Sequence, residues 1–167
     1  MMIRKNQQGV GLIEVLVALL ILAVGVMGFI ALQYRAIEAT AESGSRIQAI
    51  NLARDLAERM RVNRGAEEVY VFQLNTANTQ RVFPTDCFKA DCSSTDLADF
   101  DVAQIATKAR EISMTANYLP CQGNKDNRRC IYVAWGETAA TDGIERGNCT
   151  TGSSYEPNST CLIMEVY

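Results

Sequence analysis

Residues 15–32 form an unbroken apolar run without one charged side chain, and this run limits the fold more than any other feature of the chain. As a helix its 18 residues extend about 27 Å, close to the roughly 30 Å hydrocarbon core of a bilayer. The residues ahead of it are polar, carry Arg4 and Lys5 and no acid, and give way to apolar sequence at Val10. A secretory signal has an apolar stretch of roughly 7–15 residues followed by small residues for cleavage. Ala23-Val24-Gly25 offers such a site, but the run continues past it to Leu32, so the helix is expected to stay on the chain. Basic residues before a span favour the cytoplasmic side. All six cysteines lie beyond it, as expected for a body in an oxidising compartment. Both signals place the N-terminus inside and the body outside.

The remainder has the composition of a folded domain. Hydrophobic residues make up 48% and charged residues 21%, which is near the globular average and unlike a disordered chain. A length of 167 residues accommodates one domain besides the span. With a net charge of −3, a pI near 5.0 and no dense block of Lys or Arg, the chain lacks the electrostatic footprint that holds phosphate backbones, which argues against nucleic acid as the main ligand. The absence of histidine removes Ser-His and Cys-His nucleophile pairs, histidine zinc sites and the commonest general base at neutral pH. No Cys-x2-Cys pair occurs either. Neither metal, cofactor nor catalysis is expected.

Glu14 is the exception within the apolar segment. An acidic side chain at mid-membrane costs up to about 2.5–3.5 kcal/mol on insertion scales, so it must reach the head groups or find a partner. Its setting favours the partner. Gln8-Gly9-Val10-Gly11-Leu12-Ile13-Glu14-Val15 follows a short basic leader and runs into the apolar helix, and this arrangement resembles the class III signal of type IV pilins. The resemblance implies cleavage by prepilin peptidase between Gly9 and Val10, N-methylation of Val10, and retention of the helix. Glu14 is then the fifth residue of the mature chain, where the family keeps a glutamate that meets the N-terminal amine of a neighbouring subunit. Low dielectric strengthens such a pairing and penalises either charge alone. Leu12, Ile13, Val15 and Leu16 would form the apolar assembly surface around it. The chain departs from the family in having Val at the first mature position instead of the more usual Phe or Met, and no proline within the apolar helix. Gly25 and Gly28 would supply flexibility there. These departures suit a minor component.

No proline occurs before Pro84, and Ile47, Ile50, Ala53, Leu56, Ala57 and Met60 recur at steps of three and four, which predicts that the helix continues as an amphipathic spine. The division is a leader 1–9, a helix 10–63 (span 10–32, spine 33–63) with Gly65 as its C-cap, and a head 64–167. The stripe is expected to pack on the chain's own head. Val69-Tyr70-Val71-Phe72, residues 130–135 and residues 161–167 read as strands. Residues 96–114 read as one or two short helices, capped by Ser94 or Thr95, with Asp96, Asp99 and Asp101 better suited to the helix N-terminus than to calcium. A small head gains from covalent staples. Cys87, Cys92, Cys121, Cys130, Cys149 and Cys161 allow 15 pairings. Nearest-neighbour pairing would join Cys87 to Cys92, Cys121 to Cys130 and Cys149 to Cys161.

The expected fold is α+β and type IV pilin-like: a long N-terminal helix packed on a small antiparallel sheet, with short helices and Cys-stapled loops. The strand around Trp135, the helix after a Cys-rich loop and the chain length resemble the PilV-type minor pilins (type IV pilus modification protein). That resemblance implies a bacterial inner-membrane protein with a periplasmic head, later part of the extracellular pilus. There it joins other minor pilins in a complex that primes or caps assembly, supporting twitching motility, adhesion or DNA uptake. Implied partners are other minor pilins, the major pilin, prepilin peptidase, the inner-membrane assembly platform and membrane lipid. Two rival readings are a minor pseudopilin of a type II secretion system and a single-pass anchored periplasmic enzyme or binding protein.

Overall fold

The computed structural model describes residue 9 and residues 11–77, 79–123, 126 and 128–166. The basic leader, Val10 and Tyr167 lie outside the described residues. Helix α1, Leu12–Val62, crosses from one compact unit, Met1–Ser43, into the other, Gly44–Tyr167.

In the first unit every described residue is exposed, including Leu12, Ile13, Val15 and Leu16. The most apolar 18 residues of α1 have a mean hydropathy of 3.0 and none is buried. The helix is apolar on all sides, as expected for a segment surrounded by lipid or by other helices. It stays α-helical through Gly25 and Gly28. A Cβ at either glycine would meet nothing within 4 Å, so this unit's own packing does not require them.

In the second unit, residues 44–62 of α1 present Ala49, Leu52, Ala53, Leu56 and Met60 to the core. Their spacing is helical and defines one face. Ile47, expected on that stripe, is 57% exposed, because the buried face begins at Ala49, two residues later. Gly65 does not cap the helix. It belongs to a 3₁₀ turn, Arg64–Ala66, and lacks the positive φ of a glycine cap. The end of α1 is fixed instead by Asn63, whose Nδ2 donates to the Ser94 carbonyl at 2.7 Å.

Helix α2, Glu67–Asn75, follows at once. The expected strand at residues 69–72 is therefore a helix. Tyr70 and Leu74, four residues apart, are its buried pair, and Glu67 and Glu68 occupy the first turn, where negative charge complements the helix dipole. Helix α3, Ser94–Glu111, is a single element. Its N-cap is Ser93, one residue ahead of the expected caps, with Oγ accepting from the Asp96 N–H at 3.2 Å.

The main sheet has the order β1-β2-β6, built from Met114–Pro120, Arg129–Trp135 and Cys161–Val166, all antiparallel. Strand β2 is central and buried on both faces, which accounts for its continuous apolar sequence. Ile131, Val133 and Trp135 join the helices in one core. Cys130, Tyr132 and Ala134 face a second cluster with Cys121, Ala140, Cys149 and Cys161. The latter lies against a small sheet of β3 (Ala139–Asp142), β4 (Asn148–Thr151) and β5 (Ser154–Tyr155), in which β3 and β4 run parallel. The sequence reading contained neither this sheet nor β1.

The disulfides join Cys87 to Cys92, Cys121 to Cys130 and Cys149 to Cys161. The second closes the β1-β2 connection and the third fastens β4 to β6. On the chain-entropy account each closed loop contributes about 2–3 kcal/mol.

Candidate functional site

The candidate site is the start of α1. The Gly11 carbonyl accepts the first helical hydrogen bonds, from the N–H of Glu14 at 2.9 Å and of Val15 at 3.3 Å. Glu14 thereby falls in the first turn, where the unpaired N–H groups of the helix end create positive potential. The same turn that begins the helix helps to accommodate the acid. Gly9 and Gly11 are exposed, as are the side chains of Leu12 (79%), Ile13 (70%), Val15 (47%) and Leu16 (54%). Among the described residues nothing covers the carboxylate or the apolar groups around it, so both the apolar surface and the charge are available to a neighbouring molecule.

In the second unit an ionic network joins the three helices. Arg59 Nε donates to Asp55 at 2.8 Å, and its Nη1 donates to Asp101 at 2.6 Å and Gln104 at 2.9 Å. Lys108 Nζ donates to Asp55 at 2.6 Å. Asp101 is buried, and its second oxygen accepts from the Tyr70 hydroxyl at 2.7 Å. Burial works against the charge on Asp55, but hydrogen bonds from Lys108 and Arg59 outweigh it and hold the carboxyl below its ordinary value. Burial likewise opposes charge on Arg59, and Asp55 and Asp101 reverse that effect. Burial and the neighbouring Asp101 push the Tyr70 phenol well above its usual range. This network fastens structure and presents no reactive group. Sequence reasoning had placed Asp101 at the helix N-terminus. The i,i+4 spacing of Asp55 and Arg59 was visible, but the partner 42 residues further on was not.

Asp96 pairs with its cap Ser93, whose Oγ donates to the carboxylate at 2.6 Å. Asp99 is pushed up by burial and then by the Asp96 charge. Among the described residues no group of His, Cys, Asp or Glu is arranged to hold a metal ion.

An all-round apolar helix bearing one acid near its start, continuing into a disulfide-stapled α+β head, fits a type IV pilin-like α+β fold. Residues 4–30 match the family model described as the prokaryotic N-terminal methylation motif, and residues 31–103 match the one described as type IV pilin Tt1218, Tt1218-like. The two matches adjoin over residues 4–103, and with the fold they are consistent with a type IV pilin. No curated protein and no solved structure matches it.

Proposed function

We propose that the chain is a minor pilin of PilV type. It is cut by prepilin peptidase between Gly9 and Val10, methylated on Val10, and assembled through α1 with other pilins into a complex that primes or caps a type IV pilus. The observation that carries this reading is the uncovered apolar start of α1 with Glu14 in its first turn. A monomer gains nothing from it. A neighbouring subunit's terminal ammonium, placed in the same apolar layer, would relieve both charges. Leu12, Ile13, Val15 and Leu16 supply the packing surface. Basic residues ahead of the span support a cytoplasmic N-terminus, with the stapled head on the periplasmic side. The departures from the bulk subunit, Val10 and the proline-free helix, favour a minor role. The sequence contains no histidine, which counts against an anchored enzyme.

The test combines mass spectrometry of the chain from its own host's membranes with Glu14→Leu. The reading expects a mature chain beginning at methylated Val10, and a Glu14→Leu chain that reaches the membrane but is missing from sheared pili. A native chain beginning at Met1, or pili that still contain the Leu variant at the native level, defeats it. Recovery of the native chain with a secretion pseudopilus, and not with pili, selects the pseudopilin alternative.

A further inference from the structure

The head carries a cavity of about 360 Å³ at the junction of the 3₁₀ turn, β1 and β2. Met60 and Val166 form its apolar wall, and Arg61, Arg64 and Arg129 bring guanidinium groups to it. These arginines differ from Arg128 beside them, whose donors are committed to Glu165 at 2.5 Å and Asp126 at 2.9 Å. Arg64 makes no ion pair with any described residue. Arg61 has only a loose contact with Glu58 at 3.8 Å. Arg129 lies 5.7 Å from the Tyr118 ring centroid and 3.9 Å from Glu67. The Tyr118 hydroxyl meets the same Glu67 oxygen at 3.4 Å. Glu58 and Glu67 thus meet two of these three guanidiniums only at long range, and Arg64 is left without an ion pair among the described residues, beside an apolar wall.

We propose that this cavity is a binding site for a carboxylate on a partner polypeptide, an Asp or Glu next to an apolar residue, so that a neighbouring head is held here through its acid. Arg64 and Arg129 would grip the carboxylate, since a guanidinium fork suits a planar oxyanion, while Met60 and Val166 receive the adjacent apolar side chain. Other anionic partners fit less well. A nucleic acid needs an extended basic track, and here Glu58, Glu67, Asp126 and Glu165 interrupt it. A sugar needs an exposed aromatic face, and Tyr70 and Tyr118 are 0% and 3% exposed. The partner's identity as a pilin head rests on the proposed subunit role, but the binding chemistry does not.

The test uses the full-length chain in detergent micelles with 15N-labelled arginine. It is titrated with acetyl-Leu-Glu-Leu-amide, its Gln analogue, sodium acetate and inorganic phosphate. The Nε–H signals of Arg64 and Arg129 should shift with the Glu peptide, and the Gln analogue should bind about tenfold more weakly, the loss of one charge-assisted hydrogen bond. Arg64→Gln should weaken the Glu peptide by a similar factor, and because Arg64 is exposed, the thermal midpoint should not move. Equal binding of the Glu and Gln peptides, unchanged affinity in Arg64→Gln, or acetate or phosphate binding as tightly as the Glu peptide overturns the proposal. Failure of the two ideas is separable. A chain that binds the peptide but never enters pili keeps the pocket and removes the filament role, and the reverse result removes only the pocket.

Discussion

Replacing Asp101 with Ala removes the acceptor shared by Arg59 and Tyr70, whose bonds to it measure 2.6 and 2.7 Å. The consequences for the two donors differ. Arg59 keeps Asp55 at 2.8 Å and Gln104 at 2.9 Å, so it loses one charge-assisted bond, about 1.5–3 kcal/mol. Tyr70 is 0% exposed and keeps only Asn63, which donates to its oxygen, so its O–H loses its acceptor at a cost of about 1–3 kcal/mol. The expected loss is about 3–5 kcal/mol, in line with breaking a buried ionic cluster from one side. For a unit of this size that corresponds to a fall in thermal midpoint of about 12–20 °C, read by circular dichroism with the disulfides intact. Tyr70→Phe, introduced into the Asp101→Ala chain, should recover part of the loss by removing the orphaned hydroxyl, giving a coupling of at least about 1 kcal/mol. A loss under about 1 kcal/mol, or strict additivity of the two substitutions, refutes the account of Asp101 as the shared acceptor.

Three further outcomes follow from the head. Replacing Cys149 and Cys161 together with Ser opens the link between β4 and β6 and should cost about 3 kcal/mol by denaturant unfolding, whereas the same change at the exposed loop of Cys87 and Cys92 should cost less, because fewer packed elements depend on it. Ser93→Ala removes the cap of α3 and should destabilise by about 1 kcal/mol; an unchanged denaturation midpoint would count against the cap. Tyr118 is held neutral by burial and then by the Glu67 charge, which push its phenol up to about 12 from 10.0. A raised pKa in the folded state means that this stabilisation is intact below about pH 10 and is lost between pH 10 and 12. Ultraviolet titration of Tyr118→Phe against the parent should show one late-ionising tyrosine missing from the variant, and equal curves would reject the shift.

The elements legible in the sequence are those whose surroundings are uniform. The all-apolar helix needed only its length and lack of charge. Strand β2 was legible because burial on both faces imposes a continuous apolar run. Helix α2 was misread because Val69, Tyr70, Val71 and Phe72 have strand propensity as a group, yet Tyr70 and Leu74 meet the core at helical spacing and tertiary packing decides. Strand β1 was hidden by attribution of its first residue, Met114, to the preceding helix. The buried positions Met114 and Tyr118 do alternate with exposed or half-buried neighbours. The small sheet of β3, β4 and β5 has two to four residues per strand and many polar side chains, too little pattern to detect. At the candidate site the motif residues were legible because they are contiguous. The guanidinium cavity was not, because its walls come from segments about 60 residues apart that only the fold brings together.

The disulfide pattern bears on biogenesis. Each cysteine is bonded to its immediate neighbour among the cysteines along the chain. A chain emerging N-terminus first exposes Cys87 and Cys92 before any competitor, then Cys121 and Cys130, then Cys149 and Cys161. An oxidase that joins each thiol to the previous free one therefore produces the native set as the chain emerges, without a reshuffling step. A head of this design can be oxidised in the order of its synthesis and requires no isomerase to reach its final connectivity.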